Sequence, residues 1–87
     1  MMAEVIQQYT LQFNDDNNRA YVVRACGEPT AGGTWEGWLE FHPVDQTGPV
    51  LRTERETTQP DRAALEYWAS GLEPLYFEGA FTRARIK

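Results

Sequence analysis

The sequence is short of the residues on which most self-contained chemistry depends. Its 87 residues include one cysteine, Cys26, one histidine, His42, and one serine, Ser70. A single cysteine excludes an intrachain disulfide framework, and Cys26 is expected to act as a small buried hydrophobe in a strand. One histidine and one cysteine exclude the common His- or Cys-rich zinc sites within one chain. No G-x-S-x-G elbow, Walker loop or dinucleotide fingerprint occurs. Gly32-Gly33 reads as a turn pair, because neither a lysine nor a helix start follows it. No catalytic residue, metal or cofactor is therefore assigned.

Positive charge is also scarce. Eight basic residues face thirteen acidic ones, for a net charge of −5. That balance opposes a large nucleic-acid footprint. The imbalance lies in residues 1–45, where seven acids oppose only Arg19 and Arg24. The one basic cluster is Arg83, Arg85 and Lys87 near the C-terminus. It is a weak nucleic-acid candidate beside the ordinary reading as a solvated chain end. Long apolar runs are missing, and MMAEVIQQYTLQF has no basic flank. No signal peptide or membrane span is expected, and cytoplasmic residence is the default.

What is present is aromatic. Three Trp, four Tyr and four Phe supply the core that so short a chain needs. The sequence reads as one α+β domain over residues 1–87, without repeats or linkers. Alternation predicts an antiparallel meander of three or four strands at about 5–13, 19–26, 34–42 and 50–56. In the first, Val5, Tyr9, Leu11 and Phe13 share one face. Thr58-Gln59-Pro60-Asp61 predicts a capped helix over about 59–71, with a stripe of Ala64, Leu65, Trp68 and Leu72. A second short helix is expected over about 74–85, through Leu75, Tyr76, Ala80, Phe81 and Ala84. A strand is the alternative there, because Phe77, Gly79 and Phe81 also alternate. Both helices are expected on one face of the sheet.

The strongest strand is 34–42. Trp35, Gly37, Leu39 and Phe41 lie on one face, and Glu36, Trp38, Glu40 and His42 on the other. Period-2 geometry sets the two indoles on opposite faces without fixing which is inside. If Trp38 is outside, an indole among acids is a candidate interaction surface, built of Glu36, Trp38, Glu40 and His42. It would suit a protein partner or self-association, with a basic partner favoured. The function expected on this reading is a non-enzymatic interaction or regulatory domain. The alternative is a small hydrolytic or metal-dependent accessory protein using Glu36, Glu40 and His42.

The strings Gly33–Phe41 (GTWEGWLEF), Arg55–Pro60 (RETTQP) and Leu65–Pro74 (LEYWASGLEP) resemble a family of short uncharacterised bacterial proteins. That likeness covers about residues 20–84. It implies a fold and a bacterial source, and it assigns no site residues. In architecture the chain also resembles HicB-type antitoxin domains, with Tyr21-Val22-Val23 followed by Asp61–Ala69 in similar order. It differs from them in the longer Pro43–Gln59 stretch and in having no separate DNA-binding region.

Overall fold

The computed structural model describes residues 2–87, and it is organised around a β-hairpin of unusual regularity. Strand β2 (Ala20–Pro29) pairs with β3 (Trp35–Pro43) in unbroken antiparallel register from Tyr21↔Pro43 to Pro29↔Trp35. The β-branched and aromatic residues of both strands favour this pleated, half-buried setting. Strand β1 (Glu4–Asn14) forms one edge of the sheet, turning into β2 through a loop in which Asp15 Oδ1 accepts from the backbone N–H groups of Asn17 and Arg19.

On the far side of β3 the chain passes twice. Strand β4 (Leu51–Arg52) pairs with Phe41 and Glu40, and β5 (Thr57–Gln59) pairs with Gly37, Glu36 and Trp35. Helices α1 (Arg62–Ser70) and α2 (Pro74–Arg83) follow, and β6 (Arg85–Ile86) returns to pair with β4. The sheet is thus six-stranded and antiparallel, in the order β1-β2-β3-β4-β6 with β5 beside β3. The α+β class and the one-sided helical layer agree with the sequence reading.

Four details differ. The strand expected over 50–56 is split at Thr53, whose N–H still donates to the Leu39 carbonyl but whose hydroxyl replaces its carbonyl as acceptor from the Leu39 N–H. Regular pairing resumes only at Thr57. The first helix starts at Arg62 and not near 59: Asp61, rather than Thr58, is the cap, accepting from the Ala64 N–H at 2.8 Å. In the C-terminal segment the helix is the alternative taken, with Phe77, Gly79 and Phe81 all helical; it ends at Arg83, and a short strand, Arg85–Ile86, follows it. Within the helix Phe77 is the buried aromatic, while Leu75 and Tyr76 are exposed.

The fourth detail concerns β1. Its register slips between Val5 and Gln7, and again between Gln8 and Gln12. Bulges reset which side chains face inward. Ile6, Tyr9 and Phe13 therefore pack on the core, and Val5 and Leu11 are exposed.

The core lies between sheet and helices. It contains Tyr21, Val23, Leu39, Phe41, Ala69 and Phe77. Phe13, Phe41, Phe77 and Phe81 meet at tilted or edge-on angles, with centroids 5.0–6.3 Å apart. Gly27 and Gly37 face each other in register. A Cβ on Gly37 would lie 2.6 Å from Leu65 Cδ1, and one on Gly27 would collide with the same side chain. The paired glycines form a notch that receives Leu65 and sets the position of α1. The Tyr9 hydroxyl donates to the Ala69 carbonyl at 2.6 Å, tying the end of α1 to the edge strand.

Candidate functional site: the open face of the sheet

The pairing of β2 with β3 places Val22, Arg24 and Cys26 opposite His42, Glu40 and Trp38, away from the helices. The meander expected from sequence leaves this face to solvent. The structure does otherwise: Trp38 is 1% exposed. Three groups make the cover. The Arg52 guanidinium stacks 4.0 Å from the centre of the indole. Cys26 lies directly opposite on β2. The indole N–H donates to Glu40 Oε2 at 2.9 Å.

Glu40 is the hub of this face. Besides Trp38 it holds His42, with Nε2 2.9 Å from Oε1, and Lys87, with Nζ 3.4 Å from Oε2. Burial alone would push its carboxyl up. The hydrogen bonds from Trp38 and His42 and the charge of Lys87 outweigh that, so it titrates below its ordinary value. An ionised Glu40 only accepts, so His42 presents Nε2–H to it. Nδ1 is the ring nitrogen left over.

The four residues expected to form one interaction surface therefore divide. Trp38 and Glu40 are buried, and the acidic character is cancelled by Arg52 and Lys87. Trp38 thus offers no anchor to a partner, because the indole already has its cover. Glu36 stands apart, half-buried, with its carboxylate 3.7 Å from Arg55. His42 alone of the four borders a cavity. Trp35 lies on the helix-facing side, partly covered, with the Arg62 guanidinium 5.9 Å from its ring.

The three residues of the metal or acid–base alternative are likewise not assembled, since Glu36 is separate from the Glu40–His42 pair. Among the described residues no three His, Cys, Asp or Glu side chains cluster as metal ligands. Burial, followed by the Glu40 charge, pushes the Cys26 thiol up to about 12, which keeps it protonated at neutral pH.

The C-terminal basic cluster is also engaged. Arg83 pairs with Glu56 at 2.6 Å, and the Tyr76 hydroxyl donates to the same carboxylate. Arg85 donates to the carbonyls of Thr82, Arg83 and Ala84 at the end of α2, where a cation opposes the helix dipole. Lys87 reaches Glu40. Each cation has an internal task.

Sequence reasoning missed two features. One is the cavity of about 460 Å³ on the open face, bordered by Gln8, Arg24, His42 and the valines 22, 44 and 50. It needs the loop after Pro43 to fold back, which no local pattern announces. The other is the free outer edge of β1. Its signal was available: no charged residue occurs from Val5 to Asn14. No family model, curated protein or solved structure matches the chain. Among the described residues no helix is long and apolar enough to cross a membrane.

Proposed function

We propose that the chain is a non-enzymatic interaction module acting through protein–protein contact, and that its partner at β1 is a second copy of itself. The observation that carries this reading is a contrast between the strands at the two ends of the sheet's main path, β1 and β6. The β6 edge has two residues, one of them Arg85, and is followed by Lys87. Short, charged edges resist pairing with other chains. The β1 edge has eleven residues, with no charge from Val5 to Asn14, and Val5 and Leu11 are 52% and 39% exposed.

Strand addition supplies main-chain hydrogen bonds along such an edge. The choice of a second copy follows from charge. At a net charge of −5 two copies repel over most of their surfaces. The uncharged stretch Val5–Asn14 against its own antiparallel mate is the approach that avoids this repulsion. The glutamine and threonine side chains at positions 7, 10 and 12 suit cross-strand hydrogen bonding there.

The test is the mass in solution of the wild type and of the double variant Thr10→Lys/Leu11→Lys, by light scattering and sedimentation. Both positions are exposed, so the variant is expected to fold as a monomer, with a melting temperature that no longer depends on protein concentration. A wild-type dimer and a monomeric variant are expected. A monomeric wild type over the whole accessible concentration range, or a variant that still dimerises, would overturn the reading.

A further inference from the structure

The arginines of this acidic chain are nearly all spoken for, and one is not. Arg55, Arg62 and Arg83 pair with carboxylates. Arg52 covers Trp38, Arg19 donates to the Thr47 carbonyl, and Arg85 caps α2. Arg24 is half-buried and pairs with no carboxylate among the described residues. Glu40 sits directly across from it, but the carboxylate is already occupied by Trp38, His42 and Lys87. The Arg24 Nε donates at 3.0 Å to a neutral amide oxygen, that of Gln8. The guanidinium's terminal N–H groups make no hydrogen bond among the described residues.

Arg24 borders the cavity on the open face. Its volume of about 460 Å³ is within the range of small-molecule sites. The polar end is Arg24 with Gln8. Val22 follows two residues along β2, roughly 6.5–7 Å away on the same face. Val44 and Val50 complete an apolar wall. His42 is fixed by Glu40 and closes the side.

The loop carrying Val44 is pre-set. Asp45 accepts from the Thr47 N–H at 3.0 Å, and the Val44 N–H donates to Ala20. Gly48 has a φ of 84°, and a Cβ there would run into the Arg19 guanidinium that clamps the loop.

We propose that this cavity binds a small organic carboxylic acid, its carboxylate on Arg24 and its short aliphatic body against Val22, Val44 and Val50. A planar guanidinium matches a carboxylate in two-pronged geometry, and the valines favour a ligand with an apolar tail over a bare anion.

Of the β1 residues only Gln8 lines the site, and positions 10 and 11 lie outside it, so the test is run on both the wild type and Thr10→Lys/Leu11→Lys. Hexanoate, acetate, inorganic phosphate and hexylamine are titrated by calorimetry and by amide chemical shifts. Hexanoate is expected to bind best, shifting the amides around Arg24, His42 and Val44, with hexylamine inert. Arg24→Gln should weaken hexanoate by about tenfold to a hundredfold. Val44→Ser, at an exposed loop position, should weaken hexanoate and spare acetate. Absence of hexanoate binding, unchanged affinity in a folded Arg24→Gln, or phosphate binding as well as hexanoate would each overturn the assignment. Loss of hexanoate binding in the β1 variant alone would overturn the placement of the site away from positions 10 and 11.

Discussion

The two faces of the sheet bury their large side chains by different means. The helix-facing side encloses Leu39 and Phe41 under a second layer of structure, with Ala69 and Phe77 pressed on them and Leu65 seated over Gly27 and Gly37. The open side encloses Trp38 with no layer above it. There a guanidinium lies over the ring and a carboxylate takes the indole proton. One face excludes water by apolar packing, the other by charged side chains whose stems and planar heads lie flat on an aromatic surface. A small domain with too little chain for helices on both sides can thus gain a second buried cluster from its polar residues.

The sharpest way to break this comparison is to truncate one ring on each face. Phe41→Ala and Trp38→Ala should each cost about 3–5 kcal/mol in urea denaturation. A cost below about 1 kcal/mol for Trp38→Ala would mean that the open face is a solvated surface.

The next test concerns the hub. Glu40→Gln should cost about 1–3 kcal/mol by removing the charge that Trp38, His42 and Lys87 address. It should also change the pH profile. The folded Glu40 carboxyl titrates below its unfolded value. Its stabilisation is therefore complete above the unfolded carboxyl's range and is lost as pH falls through the folded value. Melting temperatures across the acid range should decline less steeply for Glu40→Gln than for the wild type. Equal slopes would remove Glu40 from the account.

A smaller effect attends the lid. Arg52→Ala should cost about 0.5–2 kcal/mol and shift the emission of Trp38 to the red. Arg52→Met, which keeps an apolar stem, should recover part of the stability. On the helical layer, Asp61→Ala should cost about 1 kcal/mol through loss of the α1 cap, leaving fluorescence from Trp38 unmoved.

The hairpin and helices were legible because they obey local rules. Alternation in Trp35–His42 divided the side chains of β3 between the two faces as the structure does, without telling which face is inside, and the propensity of Tyr21-Val22-Val23 marked β2 as a strand. The cover over Trp38 was not legible, because it arrives from afar: Arg52 from a split strand and Lys87 from beyond both helices. Local alternation says where a residue points and not what lies over it. It also fails where a bulge intervenes, as in β1, where Ile6 took the inward place expected of Val5. The cap was misplaced for a similar reason. Thr58 has suitable chemistry, but pairing with Glu36 claims its backbone for β5, and Asp61 inherits the role. Of the site residues, His42 was found for its place on the strand, while Arg24 carried no local signal to separate it from any other strand arginine.

The position of β6 has a consequence for motion. Its pairing with β4 is non-local, closing only after α1 and α2 have been laid down, and it consists of two residues. Short non-local ladders at a sheet edge are where local opening concentrates. Lys87 departs with that strand, and the seal on the open face loosens from this corner. Amide exchange should therefore find its fastest ordered strand at β6, with the Trp38 indole N–H responding before any proton under the helices. The tryptophan hidden without a layer above it is then the one that an opening of the resting fold reveals first.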